Sequence, residues 1–266
     1  MKQVLLAALR DAGKILLDNF GRITSYEEKE NQSSIVTKAD VESERMIMQI
    51  ISGAFPGHNL LGEETGFQNK KSEYTWVVDP IDGTSNFAAG IPWFGVIICL
   101  LKNYKPQMAG CYLPVQEKIY FAEKGKGTTL NGRPVWVSEE NKLRNILMSY
   151  SLDYSEDPEK TTKAMQFMQH LVQRVRNIRS TNCLIDFCYT ADGKLGACAN
   201  QTTKVWDIAG PVLLIEEAGG VATTLQNQPF DFSVAEENYD RNFEIVASNK
   251  ILHAKLTALF QKLTKG

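Results

Sequence analysis

Trp76-Val77-Val78-Asp79-Pro80-Ile81-Asp82-Gly83-Thr84-Ser85-Asn86-Phe87 sets two carboxylates and a glycine turn directly after an apolar run. The run Trp76–Val78 reads as a short buried strand. Pro80 has no N–H and a fixed φ, so it is expected to end the strand ladder and turn the chain. Residues three apart on a straight strand face opposite ways. A turn at Pro80-Ile81 would instead aim Asp79 and Asp82 at one point and expose the Ile81 carbonyl beside them. Gly83-Thr84-Ser85 then reads as the start of a short helix, whose first N–H groups have no intrahelical partner. Carboxylate and carbonyl oxygens suit a hard divalent cation such as Mg²⁺, and free N–H groups at a helix start suit a phosphate. The plainer alternative is a loop after an edge strand that uses Asp and Gly for turn chemistry.

Other acids fall at similar boundaries. Leu60-Leu61 leads into Gly62-Glu63-Glu64, and Asp207 follows Trp206 where a helix begins. Three or more carboxylates crowded together repel one another unless cations sit between them, which argues for more than one metal. Each residue also has a structural explanation. Asp207 could balance a helix dipole. Thr37 to Asp40 has capping-box spacing, so Asp40 could be a helix cap and nothing more. Lys29 lies in the charged run Glu27–Glu30, where a solvated face is the default. Glu64 reads as a solvated neighbour of Glu63, and Trp206 as a core anchor. Arg174, Arg176 and Arg179 read as a surface stripe.

The remaining sequence frames these segments. The 266 residues can bury a large core. With 29 basic and 31 acidic residues and a net charge of -2, no basic footprint for nucleic acid exists. Five scattered cysteines without a C-x-x-C pair read as reduced, buried thiols of a cytoplasmic protein, and three dispersed histidines argue against zinc. The apolar N-terminus is interrupted by Arg10, Asp11 and Lys14 too early for a leader peptide. No apolar run is long enough for a membrane span.

Apolar residues at helical spacing predict helices over 2–20 and from about Asp40, the latter with Val41, Ile47, Met48, Ile51 and Phe55 towards the core. Residues 22–36 read as a polar excursion. Phe94–Leu101, Gln107–Tyr112 and Lys118–Ala122 predict an antiparallel meander, and Asn131-Gly132 a tight turn. Beyond about residue 142, strands and helices alternate and end in a helix at 250–263. The expectation is an α/β (α+β) protein of two halves, 1–142 carrying most of the acids and 143–266 supplying Asp207, packed as one unit.

Gly62-Glu63-Glu64, Asp79-Pro80-Ile81-Asp82-Gly83-Thr84 and Trp206-Asp207-Ile208-Ala209-Gly210, in that order, resemble the three signature blocks of the inositol monophosphatase family. Lesser matches at Val36-Thr37 to Asp40, Gly125–Gly132 and Glu217–Gly220 extend the likeness over nearly the whole chain. The resemblance implies a layered α/β/α/β/α sandwich. It also implies a lithium-sensitive phosphomonoesterase that uses two or three Mg²⁺ ions and a metal-activated water, without a covalent intermediate. Carried over by position, Glu63, Asp79, the Ile81 carbonyl, Asp82 and Asp207 would bind metal. Gly83 and Thr84 would bind phosphate, while Glu63, Thr84 and Asp40 would orient the water. Lys29 falls where family members carry a lysine reaching towards the metal-site waters. By analogy the protein would be a homodimer acting on a small phosphorylated substrate, with no nucleic-acid or membrane partner.

Three places depart from the inositol-phosphatase pattern, one being Pro211 early in the Asp207 helix, where it removes a possible backbone bond. Thr181-Asn182-Cys183 stands where the family commonly has Gly-Ser/Thr-Ala. Asn200 stands where the inositol enzymes commonly carry a glutamate, and an amide keeps hydrogen bonding without charge. Asn182, Cys183, Asn200 and Lys29 are thus candidate substrate contacts. Inositol monophosphate is the default substrate. Fructose 1,6-bisphosphate, histidinol phosphate and 3'-phosphoadenosine 5'-phosphate are rivals, and a non-catalytic metal- or phosphate-binding relative is the alternative of another class.

Overall fold

A computed structural model describes residues 1–22, 25–29, 31–32 and 34–264. The first half runs α1 (Lys2–Asn19), β1 (Glu27–Glu28), β2 (Ile35–Val36), α2 (Lys38–Ala54), β3 (Asn59–Gly62), β4 (Gly66–Gln68), β5 (Tyr74–Asp82), α3 (Thr84–Ala88) and β6 (Gly95–Lys102). It continues with β7 (Lys105–Leu113), β8 (Lys118–Glu123), β9 (Thr128–Leu130) and β10 (Arg133–Val135). The second half runs β11 (Leu147–Ser151), α4 (Pro158–Val172), β12 (Asn177–Arg179), α5 (Ile185–Ala191), β13 (Ala197–Thr203), α6 (Val205–Glu217), β14 (Val221–Thr223), β15 (Phe243–Ser248) and α7 (Lys250–Thr264).

Three apolar layers stack these elements. Along β5, successive side chains leave opposite faces. Trp76 and Val78 meet Leu5 and Leu9 of α1 and Ile47 and Ile51 of α2. Val77 points the other way, into a core shared with Ile208 and Leu213 of α6, Phe187 of α5 and Ile245 of β15. Met148 and Val246 on the far face of the second sheet meet Phe167 of α4 and Leu256 and Phe260 of α7. The result is the expected α/β/α/β/α sandwich. The first sheet has the order β10-β9-β8-β7-β6-β5-β3-β4 and the second β12-β11-β13-β15-β14. Helix α6 lies in the middle layer, and its run Ile208–Ile215 is buried all round, as a helix apolar on every face must be.

Two expectations are corrected. Pro80 does not end the strand: β5 continues to Asp82, with Asp79 opposite Ile97 and Asp82 opposite Gly95. Three steps on β5 against two on β6 make a bulge. The extra residue reverses the parity of the pleat, and this, rather than a turn, lets two aspartates three apart share a side. Val41 is 54% exposed. The Thr37 capping box sets the phase of α2 so that Ala39, Asp40, Ser43, Glu44, Ile47, Met48 and Ile51 face inward. The excursion at 22–36 contains the small antiparallel pair β1–β2. No described helix is long and apolar enough to cross a membrane, and all five cysteines are free and buried.

Trp76 is fully buried and donates its ring N–H to His58 Nδ1 at 3.1 Å. Trp76→Ala is expected to cost about 3–5 kcal/mol, read from the shift of the urea unfolding midpoint. A loss below about 1 kcal/mol would contradict this account of the first core.

Candidate active site

The bulged end of β5 opens into a cleft of about 790 Å³, closed on other sides by the turn after β3, the segment after β11, the turn before α5 and the start of α6. Asp79 and Asp82 reach it from β5, and Asp207 from the first turn of α6. These three each offer an oxygen within 4.8 Å of the others. One oxygen of Asp79, Oδ1, is buried with no hydrogen-bond partner. Asp82 Oδ1 accepts the Leu184 N–H. Asp207 Oδ2 accepts the Lys204 N–H at 2.7 Å, so Asp207 caps α6 as well as joining the cluster.

Burial is the main reason these carboxyls hold their protons more tightly than usual, and the charges of Glu63 and of one another add to it. Asp79 and Asp82 are raised well above the ordinary value, and Asp207 is pushed up to about 7. A buried carboxylate oxygen without a partner, inside a set of mutually repelling acids, is a cation-shaped deficit. The donor set is all oxygen, so the residues fit hard divalent ions.

Glu63 is not one of the three converging ligands. It begins the turn after β3, and its Oε1 accepts from Lys29 Nζ at 2.9 Å. Lys29 also bonds Glu64. Both expectations of solvated side chains at Lys29 and Glu64 are therefore corrected: these side chains are 22% and 12% exposed and pair with each other. Burial opposes the Lys29 charge, but the two glutamates outweigh it and raise its pKa.

The sequence gives a weaker signal for Glu44, which lies four residues beyond Asp40 on the inward face of α2. It is fully buried and accepts the Glu64 and Thr65 N–H groups at 2.9 and 2.8 Å. It thus clamps the turn that carries Glu63. A Cβ on Gly62 would fall 2.4 Å from its Oε1, so only glycine fits beneath the clamp.

Asp40 performs its capping role, since Oδ2 accepts the Thr37 N–H at 2.8 Å and the Thr37 hydroxyl at 2.6 Å. Its other oxygen, Oδ1, lies 3.2 Å from Thr84 Oγ1. Burial pushes Asp40 up to about 7, against the Thr37 bonds and with a smaller contribution from Glu63 and Glu64. The Thr84 hydroxyl also lies 2.8 Å from the Ile81 carbonyl. Gly83, at φ +90°, leads into α3, and a Cβ there would meet the Trp93 carbonyl oxygen at 2.6 Å.

The departing positions line the same cleft: Asn182, Cys183 and Asn200 all face it, as does Lys29. Asn182 adopts φ +49°. The Cys183 thiol is raised by burial. Asp186, which the sequence reading missed as one acid in an apolar run, accepts the Thr181 hydroxyl at 2.6 Å and the Ser151 hydroxyl at 3.2 Å. It holds the turn 181–183 against the second sheet. Arg174 and Arg179 bond locally to His170 and Ile178 carbonyls, away from the cleft.

The model of the inositol monophosphatase family matches residues 1–265. The chain belongs to that family. Family members so named are phosphoric monoester hydrolases. A fructose-1,6-bisphosphatase/inositol-1-monophosphatase of Aquifex aeolicus is 32% identical over 250 residues, covering 93% of this chain and 90% of the relative. Among solved structures of inositol monophosphatase relatives, the extragenic suppressor protein suhB of Bartonella henselae superposes with a TM-score of 0.89 at 26% identity, covering 98% of each chain. An IMPase of Thermotoga maritima gives 0.87 at 26% identity, covering 100% of this chain and 99% of that one.

Two predictions follow from the site's electrostatics. The acids of the cluster have folded pKa values above their unfolded ones, so folding takes up protons between the ordinary 3.8 and about 7. The metal-free protein therefore loses stability as pH rises through that window, and cation binding below it must displace protons. Saturating Mg²⁺ should raise the melting temperature more at pH 8 than at pH 5.5, and an equal rise at both would contradict the proton-linked cluster. Glu44→Ala removes the partner of two part-buried N–H groups and should cost about 1–3 kcal/mol, measured by urea unfolding; a neutral effect would show that the turn is held elsewhere.

Proposed function

We propose that this protein hydrolyses a small phosphate monoester with Mg²⁺, inositol monophosphate being the default substrate. The observation that carries the reading is the convergence of Asp79, Asp82 and Asp207 beside the first N–H groups of α3. Glu63, Asp79, the Ile81 carbonyl, Asp82 and Asp207 would hold the cations. When bound, Mg²⁺ would make water acidic enough to attack at neutral pH and offset phosphoryl charge.

The chain's own groups supply the rest. The Gly83 and Thr84 N–H groups, free of helical partners, orient the phosphate. Thr84 has one hydroxyl proton and two acceptors in reach, Ile81 O and Asp40 Oδ1. Donated to ionised Asp40, that proton leaves the Thr84 oxygen free to accept from the attacking water. Asp40, with a pKa near 7, is poised to take a proton at neutral pH. A new P–O bond forms from water as the ester P–O bond breaks, releasing inorganic phosphate and the alcohol. No cysteine or histidine is required.

The relative named as a fructose-1,6-bisphosphatase as well as an inositol-1-monophosphatase keeps a bisphosphate as the second reading. Buried, unpaired cysteines support a reducing compartment such as the cytoplasm. A phosphomonoester panel with Mg²⁺ or EDTA, with and without Li⁺, tests the activity. Turnover should require Mg²⁺ and fall with Li⁺, and no release of phosphate from any substrate would refute it. Asp82→Asn should lower kcat at least about a hundredfold with an unchanged circular dichroism spectrum. Full activity at millimolar Mg²⁺ would remove Asp82 from the site.

A further inference from the structure

Beyond the metal cluster, the cleft is lined by a braced carboxylate with no assigned role. Asp153 follows β11 and lines the cleft. Asn182 Nδ2 donates to its Oδ1 at 2.6 Å and to the Leu152 carbonyl at 2.9 Å. Asp153 and Asn200 line one small side pocket, and the Asn200 amide favours the Asp153 charge.

The orientation of both amides is fixed from behind. Asn182 Oδ1 accepts the Ser180 hydroxyl at 3.3 Å, and Asn200 Oδ1 accepts the Thr202 N–H at 2.7 Å. Asn182 turns its NH₂ group to Asp153, and with the Asn200 oxygen occupied its NH₂ group is the donor left for the side pocket. A carboxylate has about four acceptor positions, so two donors from the wall leave about as many again for a ligand. Asp153 is open to cleft water, yet the protein around it is close enough to raise its pKa against the pull of the two amides and Lys160. Asp153 and Asp207 line the same cleft.

An ionised carboxylate only accepts hydrogen bonds, so its ligand must donate. Lys160 beside it disfavours an ammonium group. The segment also holds Glu156 and Asp157, so acids outnumber the single lysine there and disfavour a second phosphate. A hydroxyl is the neutral donor that remains. We infer that Asp153, braced by Asn182 and set beside Asn200, recognises hydroxyl groups of the leaving alcohol and selects polyol monophosphates over bisphosphates. The inference rests on the phosphatase reading above and names its substrate class.

The test compares wild type with Asp153→Asn and Asp153→Lys on inositol 1-phosphate, p-nitrophenyl phosphate and fructose 1,6-bisphosphate. Asp153→Asn should raise KM for inositol 1-phosphate roughly tenfold or more with little change in kcat. It should leave p-nitrophenyl phosphate, which has no hydroxyls, unaffected. Asp153→Lys should shift the kcat/KM ratio further, towards the bisphosphate. Equal losses on all three substrates, or an unchanged KM for inositol 1-phosphate, would overturn the role of Asp153 while leaving the phosphatase reading intact. A wild-type enzyme that releases no phosphate even from p-nitrophenyl phosphate would overturn both.

Discussion

Carboxylates buried side by side repel, and little else in this protein makes sense without that repulsion. Asp79, Asp82 and Asp207 come from two elements far apart in sequence and meet where water is scarce, one oxygen lacking any partner. Metal-free, the cluster tolerates its own assembly only by holding protons, which is why burial and mutual charge raise these groups together. The surrounding scaffold supplies the rigidity: a bulge in β5, a cap at the start of α6, and a middle-layer helix packed on every side. Hydrogen bonds fix the direction of two of the carboxylates, the Leu184 N–H on Asp82 and the Lys204 N–H on Asp207.

Around this centre, functional and structural duties fall on the same atoms. Asp40 caps α2 with one oxygen and faces Thr84 with the other. Glu44 closes the turn that presents Glu63, and a glycine beneath it leaves the carboxylate room. Lys29 bridges Glu63 and Glu64. A cap and a catalytic position are thus not competing explanations for these residues, because two oxygens of one carboxyl can serve both.

Much of this was legible in the chain, and the exceptions have physical causes. Strands and helices with strong periodicity, such as α1, β6–β8 and α6, could be read because one face or every face is apolar. The acids at the ends of β3 and β5 and at the start of α6 stood out because they break apolar runs. Pro80 misled, since a proline that forbids a ladder bond is equally at home in a bulge, and only the partner strand decides which. Val41 misled because the phase of α2 is set by its cap rather than by its apolar residues alone. Glu44, Asp153 and Asp186 were hidden for a different reason: their partners are backbone groups, amides and hydroxyls, most of them distant in sequence, which no local pattern records.

The Asp82 carboxylate also accepts a hydrogen bond from Leu184, next to Cys183 and Asn182, and Asn86 donates to the Thr181 carbonyl at 2.9 Å. The 181–184 turn is therefore wired to the carboxylate cluster and to α3. Substrate preference and turnover are not independent variables in such an arrangement. A lineage drifting towards a new alcohol must change the 181–184 turn without disturbing the hydrogen bond it gives to Asp82. The path of the backbone there is harder to change than the side chains it carries, and diversification of this cleft is channelled into cleft-facing side chains on an inherited main-chain trace.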